Sequence, residues 1–304
     1  MNLSIPIEAK MKNKGLLLII LIALSLFAVS CGYRPEQAEI RQNPLENEAE
    51  VQRQNIETTP SPTSSPTPSP TTAPTSTPTP EPTLSPEEIL WERFESSYGK
   101  TREEISASAL DSFLWLDGYL YSLKEDGTFR RGEMFNDLFF SSSGQYSCGN
   151  AQLDDLVAST VAQYLAKRTE TTTRQEILRM LYDHVKNDFS YLVRNYYASG
   201  ETGWETDEAI TFLTTNKGNC YNYAAAFCAL CRGIGYNARN WSGTMGVENQ
   251  PHAWTEVTID DAVYILDPEL EFNYWYLEMY WDFFMIPLQG SAAYNYQAVG
   301  RKGP

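Results

Sequence analysis

Cysteine is scarce in this sequence. There are 5 in 304 residues, and the part able to fold holds only Cys148, Cys220, Cys228 and Cys231. That is too few for a disulfide scaffold, so packing has to hold the core. The 19 Tyr, 13 Phe and 7 Trp supply the bulk for it. Cys228 and Cys231 form a C-x-x-C, but no second ligand pair follows, which speaks against zinc and leaves them as core residues. No acidic loop has the spacing of a calcium site. No metal and no cofactor is therefore expected. Basic runs are missing beyond the first residues, and the formal net charge is −16, so nucleic acid is not an expected partner. The one long apolar run, residues 15–30, is too short and wrongly flanked for a transmembrane helix.

That run reads instead as part of a targeting segment, residues 1–30, with Lys10, Lys12 and Lys14 as its positive region. The stretch Ala28-Val29-Ser30-Cys31 has two readings. It resembles the bacterial lipobox, with a small residue before the cysteine and Gly32 after it, although Ala28 stands where Leu is usual. Cys31 would then be the lipidated first residue of a protein anchored to the outer face of the bacterial cell membrane. The alternative is ordinary cleavage after Ala-x-Ser, giving a secreted protein with a plain thiol. Lipidation is preferred because it accounts for a cysteine at the cleavage point. Either way the mature chain works outside the cytoplasm.

Residues 31–58 are acidic and poor in apolar side chains, an expected disordered tether. Residues 59–86 are almost entirely Pro, Thr and Ser, a linker that resists helix and sheet. At ~3.1 Å per residue it reaches about 80 Å when extended. The folded region begins at Glu87. Residues 87–150 read as an N-terminal helical extension. Ser85-Pro86-Glu87-Glu88 starts one helix, and Thr101-Arg102-Glu103-Glu104 starts a second that runs towards Trp115. A hairpin is expected between Gly118 and Arg131, where Tyr119, Tyr121 and Leu123 alternate before Glu125-Asp126-Gly127. Helical spacing is firmer over residues 152–167 and 173–187. His184 in the second of these reads as a surface or boundary histidine. Residues 151–304 are taken as one domain with its core at 175–270. Residues 272–284 are densely aromatic. Core packing is the expected use, and the functional alternative is a stacking groove for a peptide or a sugar.

The stretch from Lys217 to Gly235 organises the rest. A Gly turn leads to Asn219, a good N-cap, and an Ala/Leu/Cys helix follows until Gly233 and Gly235. Cys220 thus sits in the first turn, where orphan N–H groups and the helix dipole favour a thiolate. Residues 236–242, 252–259 and 263–266 then read as strands. If the last two pair around Asp260-Asp261, Ile259 faces Ala262 and Trp254 faces Asp267. His252 shares the face of Trp254, and Asp267 becomes its diagonal neighbour. A helix-terminal cysteine facing a His–Asp pair is the nucleophile, base and orienter set of thiol catalysis.

The order Gly218-Asn219-Cys220, His252-Ala253-Trp254 and Leu266-Asp267-Pro268 resembles the bacterial transglutaminase-like domains of the papain-like thiol-enzyme superfamily. The upstream Asp188-Phe189-Ser190-Tyr191 resembles the segment before that family's nucleophile region. The resemblance covers about residues 175–270. It departs at the hairpin, where Asp260-Asp261 replaces the usual Gly. It implies an α+β papain-like/transglutaminase-like core, with the cysteine helix packed on an antiparallel sheet and extra N-terminal helices. It implies Cys220 as nucleophile, His252 as general base and acid, and Asp267 as the orienting acid. Trp204 and Tyr191 are candidates for oxyanion or substrate contacts.

The expected activity is acyl transfer at an amide through a thioester. Water as acceptor gives a peptidase or amidase, the preferred outcome, and an amine gives a cross-linking transglutaminase. A protein or peptide substrate is expected, cell-wall peptide included, and the chain is expected to be monomeric. A non-catalytic surface binding module on the same fold is the rival from another class.

Overall fold

Two helices of the computed structural model begin on the side-chain caps that the sequence announces, at Ser85 and Thr101. The structure describes residues 84–301, which belong to one compact unit. The targeting segment, Cys31, the acidic tether and nearly all of the Pro/Thr/Ser linker lie outside the described residues. In α1 (Pro86–Tyr98) the Ser85 hydroxyl accepts from Glu88 N–H while the Glu88 carboxylate accepts from Ser85 N–H, and Pro86 fills the first helical position. Thr101 and Glu104 repeat this box at α2 (Arg102–Ala107). That helix is shorter than the sequence suggests and stops before Trp115. Phe113-Leu-Trp-Leu116 is buried at every position, which suits a strand covered on both faces.

Those four residues form β1 (Phe113–Leu116), which pairs with β2 (Tyr119–Ser122) around Asp117-Gly118. The hairpin therefore starts earlier than expected. The Glu125-Asp126-Gly127 turn is also present, closed by the bridge between Leu123 and Phe129. A further hairpin, β3 (Glu133–Phe135) and β4 (Leu138–Phe140), turns at Asn136-Asp137. These residues do not stand apart from the rest. Phe113, Trp115, Leu120, Leu138, Phe140 and Tyr146 belong to the main core, and the Trp115 indole donates to Gly233 O at 3.0 Å.

Helices α3 (Ala151–Leu165) and α4 (Arg174–Asn187) are capped by Asn150 and Thr173. A short strand β5 (Ser190–Tyr191), helix α5 (Glu205–Thr215) and strand β6 (Lys217–Gly218) lead into α6 (Cys220–Gly233). His184 sits at the boundary, its Nδ1 2.7 Å from Asp188 Oδ2. Next come β7 (Asn237–Met245), β8 (Gln250–Ile259) and β9 (Ala262–Leu266), longer by a few residues than their sequence patterns. Helix α7 (Pro268–Tyr276), β10 (Ile286–Pro287), a 3₁₀ turn (Ser291–Asn295) and β11 (Tyr296–Gln297) complete the described chain.

The sheet order is β10-β9-β8-β7-β11, all antiparallel. The β8–β9 turn uses Asp260 at φ 48° and Asp261 at φ 63°. Aspartate tolerates this left-handed region, so the turn works without the usual Gly. One face of the sheet packs on α6, where Thr255 Oγ1 donates to Ala224 O at 3.0 Å and Ala224, Ala225 and Ala226 allow close approach. The other face carries a second core of Met245, Trp254, Ile265, Leu270, Ile286, Ala293 and Tyr296. Residues of β8 therefore alternate between two cores, Ala253 and Val257 on one and Trp254 on the other.

Candidate active site

The site is built where the start of α6 meets the end of β9. Its first part is a brace around the cysteine turn. The Asn222 side chain accepts the Asn219 N–H at 3.1 Å, and its amide nitrogen donates to Glu208 O at 3.1 Å and to the Glu208 carboxylate. Buried Glu208 also accepts from Asn195 at 2.9 Å and from the Tyr197 hydroxyl at 2.7 Å. Asn219 donates to Asn195 O at 2.8 Å. Gly218 is needed here, since a Cβ at that position would land on the Asn222 side chain. The turn is thus fixed from below, and Cys220 is held at the helix start, 1% exposed.

The β8–β9 register runs as the sequence predicts, with Ile259 opposite Ala262 and Thr255 opposite Leu266. His252 Nε2 lies 2.6 Å from Asp267 Oδ2, and both side chains are buried. That leaves Nδ1 to the Cys220 thiol, with which the ring is hydrogen-bonded. The structure therefore brings Cys220, His252 and Asp267 together. Asp267 is held from several sides. Its Oδ1 caps α7 by accepting Leu270 N–H at 3.0 Å, and its Oδ2 accepts the Tyr296 hydroxyl at 3.0 Å. Its carbonyl lies 3.1 Å from the Tyr182 hydroxyl.

Burial opposes a charged imidazole at His252, yet the charge and hydrogen bond of Asp267, with those of Cys220, together outweigh it and raise the ring well above the usual histidine value. The thiol behaves differently from the expected helix-terminus thiolate. Burial raises the Cys220 pKa, more than the hydrogen bond to His252, its charge and the Ala253 N–H lower it. Desolvation wins because the sulphur is enclosed.

A second carboxyl completes the group. Glu269 is buried in the first turn of α7, its Oε2 3.9 Å from His252 Nδ1. Burial first, and then the Asp267 charge, push its pKa up to about 7 against the pull of His252. Donor atoms of His252, Asp267 and Glu269 lie within 4.8 Å of one another. Asp267 Oδ2 already takes hydrogen bonds from the His252 ring and Tyr296, so the group reads as a hydrogen-bonded acid–base cluster.

The model of the Transglutaminase-like superfamily matches residues 159–268. These residues are a transglutaminase-like domain. Its limits enclose Cys220, His252 and Asp267 and stop one residue short of Glu269. Among solved structures, the chain is similar to the periplasmic domain of TgpA from Pseudomonas aeruginosa. Identity is 18%, covering 55% of this chain and 65% of that one, at a TM-score of 0.29. The same domain bound to ethylmercury gives 20% identity over 40% and 45%, at a TM-score of 0.28. A candidate cysteine protease from Cytophaga hutchinsonii gives 23% identity over 40% of this chain and 43% of its own length, at a TM-score of 0.28. The match thus spans less than half of the Cytophaga protein. No curated protein matches.

Two further sequence candidates, Trp204 and Tyr191, lie near the cysteine turn. The Trp204 indole N–H donates to Glu201 O at 2.9 Å and the ring stacks on Tyr197, so it is not available as an oxyanion donor. Tyr191 sits beside the cysteine turn, opposite Gly218 in the β5–β6 pair. The aromatic stretch after Asp267 is not core as a whole. Tyr276 and Tyr280 are 75% and 81% exposed, and Trp275 and Trp281 are more than half exposed. Sequence reasoning missed Glu269, Tyr296 and the Glu208–Asn222 brace. Asn222, three residues after the Asn219 cap, carried a capping-box signal. Tyr296 carried none.

Proposed function

We propose that this protein is an extracytoplasmic thiol enzyme acting on amide bonds of proteins or peptides, with Cys220, His252 and Asp267 as its catalytic residues. The observation that carries the reading is the hydrogen-bonded chain from the Cys220 thiol through the His252 ring to the Asp267 carboxylate. With the ring neutral and its proton on Nε2, Cys220 Sγ passes its proton to His252 Nδ1 and bonds to the amide carbon. The Cys220 backbone N–H, which has no intrahelical partner at this position, is one oxyanion donor. The C–N bond breaks as the imidazolium protonates the leaving amine, and a thioester remains. Water then gives a proton to His252 and attacks the thioester. The C–S bond breaks, leaving a carboxylate and the thiol. Asp267 orients the ring and stabilises its charged form throughout. An amine in place of water would give a new amide. Hydrolysis is favoured because an enclosed site admits water more readily than a second chain.

The exposed aromatic segment and the enclosed thiol together support a second reading, a surface binding module on this fold. An activity-based thiol probe, followed by a peptide library with and without amine acceptors, separates the readings. Labelling at Cys220 that is lost in C220A and H252A, with cleavage in the absence of amine, is the expected result. No labelling of folded protein, or full biological activity in C220A, sinks the enzyme reading. The lipid anchor on Cys31 is proposed with it. Among the described residues no helix is long and apolar enough to cross a membrane. A C31S protein that still partitions with membranes would refute the anchor.

A further inference from the structure

Glu269 is a buried carboxyl beside the site that the proposed chemistry leaves unused. Its side chain is 1% exposed. Oε1 accepts from the Asn273 amide, whereas Oε2 has no hydrogen-bond partner among the described residues and lies 3.9 Å from His252 Nδ1. This is the ring nitrogen on the thiol side, since Nε2 is taken by Asp267. A desolvated carboxyl oxygen left without a partner is costly, so its placement calls for a role beyond packing.

The geometry points to Glu269 as a positioning residue that governs the proton shared by Cys220 and His252. The inference rests on the thiol-enzyme reading above. The titratable groups around Glu269 are Cys220 and Tyr223 from α6, His252 from β8, Asp267 at the α7 cap and Tyr296 from β11. His252 alone among them gains a positive charge. A neutral Glu269 leaves the imidazole to the sulphur, so the thiolate–imidazolium pair can form. An ionised Glu269 does two things: as a competing acceptor it draws the Nδ1–H away from the sulphur, and its charge raises the pKa of the neighbouring thiol. Both hold back the thiolate. Because burial sets the change near pH 7, the site is released on the acid side and restrained on the alkaline side.

The test is the rate of Cys220 alkylation by iodoacetamide against pH, on the full chain with its other cysteines replaced by Ser or Ala. No substrate is needed. Wild type should show a shallow rise, held back above about pH 7. In E269Q the restraint is gone, and the rate at pH 8 should be about tenfold higher, as expected for removal of one neighbouring like charge. Asn273→Ala removes the hydrogen bond that lowers the Glu269 pKa, so the restraint should set in at higher pH. N273A decides the matter on its own if E269Q does not fold. Superimposed wild-type, E269Q and N273A profiles, in a protein whose alkylation still depends on His252, overturn this inference alone. An H252A profile identical to wild type overturns the thiol-enzyme reading and this inference with it.

Discussion

Replacing Asp267 by Asn changes one atom, and the surrounding donors dictate the consequence. Leu270 N–H requires an acceptor at the Oδ1 position. The Asn carbonyl must therefore stand there, which puts the NH₂ where Oδ2 now receives the His252 ring and the Tyr296 hydroxyl. An NH₂ donates, so Nε2 must present its lone pair and the ring proton moves to Nδ1. A neutral ring protonated at Nδ1 cannot accept the thiol proton, and the carboxylate that stabilised the imidazolium is gone. Loss of the correct tautomer in a thiol or serine triad costs about 10³–10⁴ in rate, which is about 4–5.5 kcal/mol of barrier. Peptide-amide turnover of D267N against wild type measures it. The pH profile of Cys220 alkylation gives a second readout, and a thermal melt shows that the variant is folded. A folded D267N within tenfold of the wild-type rate would refute the assignment of Asp267 as orienter.

Three further outcomes follow from the same geometry. Trp204→Phe loses only the bond to Glu201 O and should change turnover less than about twofold, because removing an oxyanion donor costs about 10²–10³. A loss of that larger size in folded W204F would restore Trp204 to the oxyanion hole. Glu269 is raised from 4.5 to about 7 in the folded state, so its contribution to stability is full below about pH 4.5 and is lost as pH rises through about 7. Urea midpoints should therefore favour pH 5 over pH 8 by up to about 3 kcal/mol from this group, and E269Q should flatten that slope. Arg301 and Glu256 form a buried pair at 2.6 Å, with Trp241 also donating to Glu256. Arg301→Met leaves the carboxylate one donor short and should destabilise by about 2–4 kcal/mol in chemical denaturation, with a loss below about 1 kcal/mol refuting a role for the pair.

Local signals were readable in the sequence, and long-range ones were not. Capping boxes at Ser85 and Thr101, the helix from Cys220 and the turn at Asp260-Asp261 depend on neighbours within a few positions. The register that set Asp267 beside His252 follows from the turn length and the two-residue period of a strand. The helix drawn to Trp115 failed because tertiary burial on both faces overrode a start signal that was itself correct. Composition could not tell that Tyr276 and Tyr280 face solvent while Tyr182 and Tyr223 are fully buried, since all four are tyrosines in apolar stretches. Tyr296 reaches Asp267 across 29 positions and Trp204 commits its indole to a loop carbonyl. Neither contact leaves a periodic trace.

Enclosure of the thiols bears on how long the protein lasts. Oxidation of cysteine proceeds through the thiolate and needs access to solvent. Cys220, Cys228 and Cys231 are buried, and burial raises all three pKa values. Cys148 is exposed, but partial burial and its bond to Asp154 push it up to about 11. Each of the four described thiols therefore lacks the charge, the exposure or both, and none is primed for peroxide or for exchange with a stray disulfide. A thiol kept neutral by burial has a long shelf life in an oxidising medium.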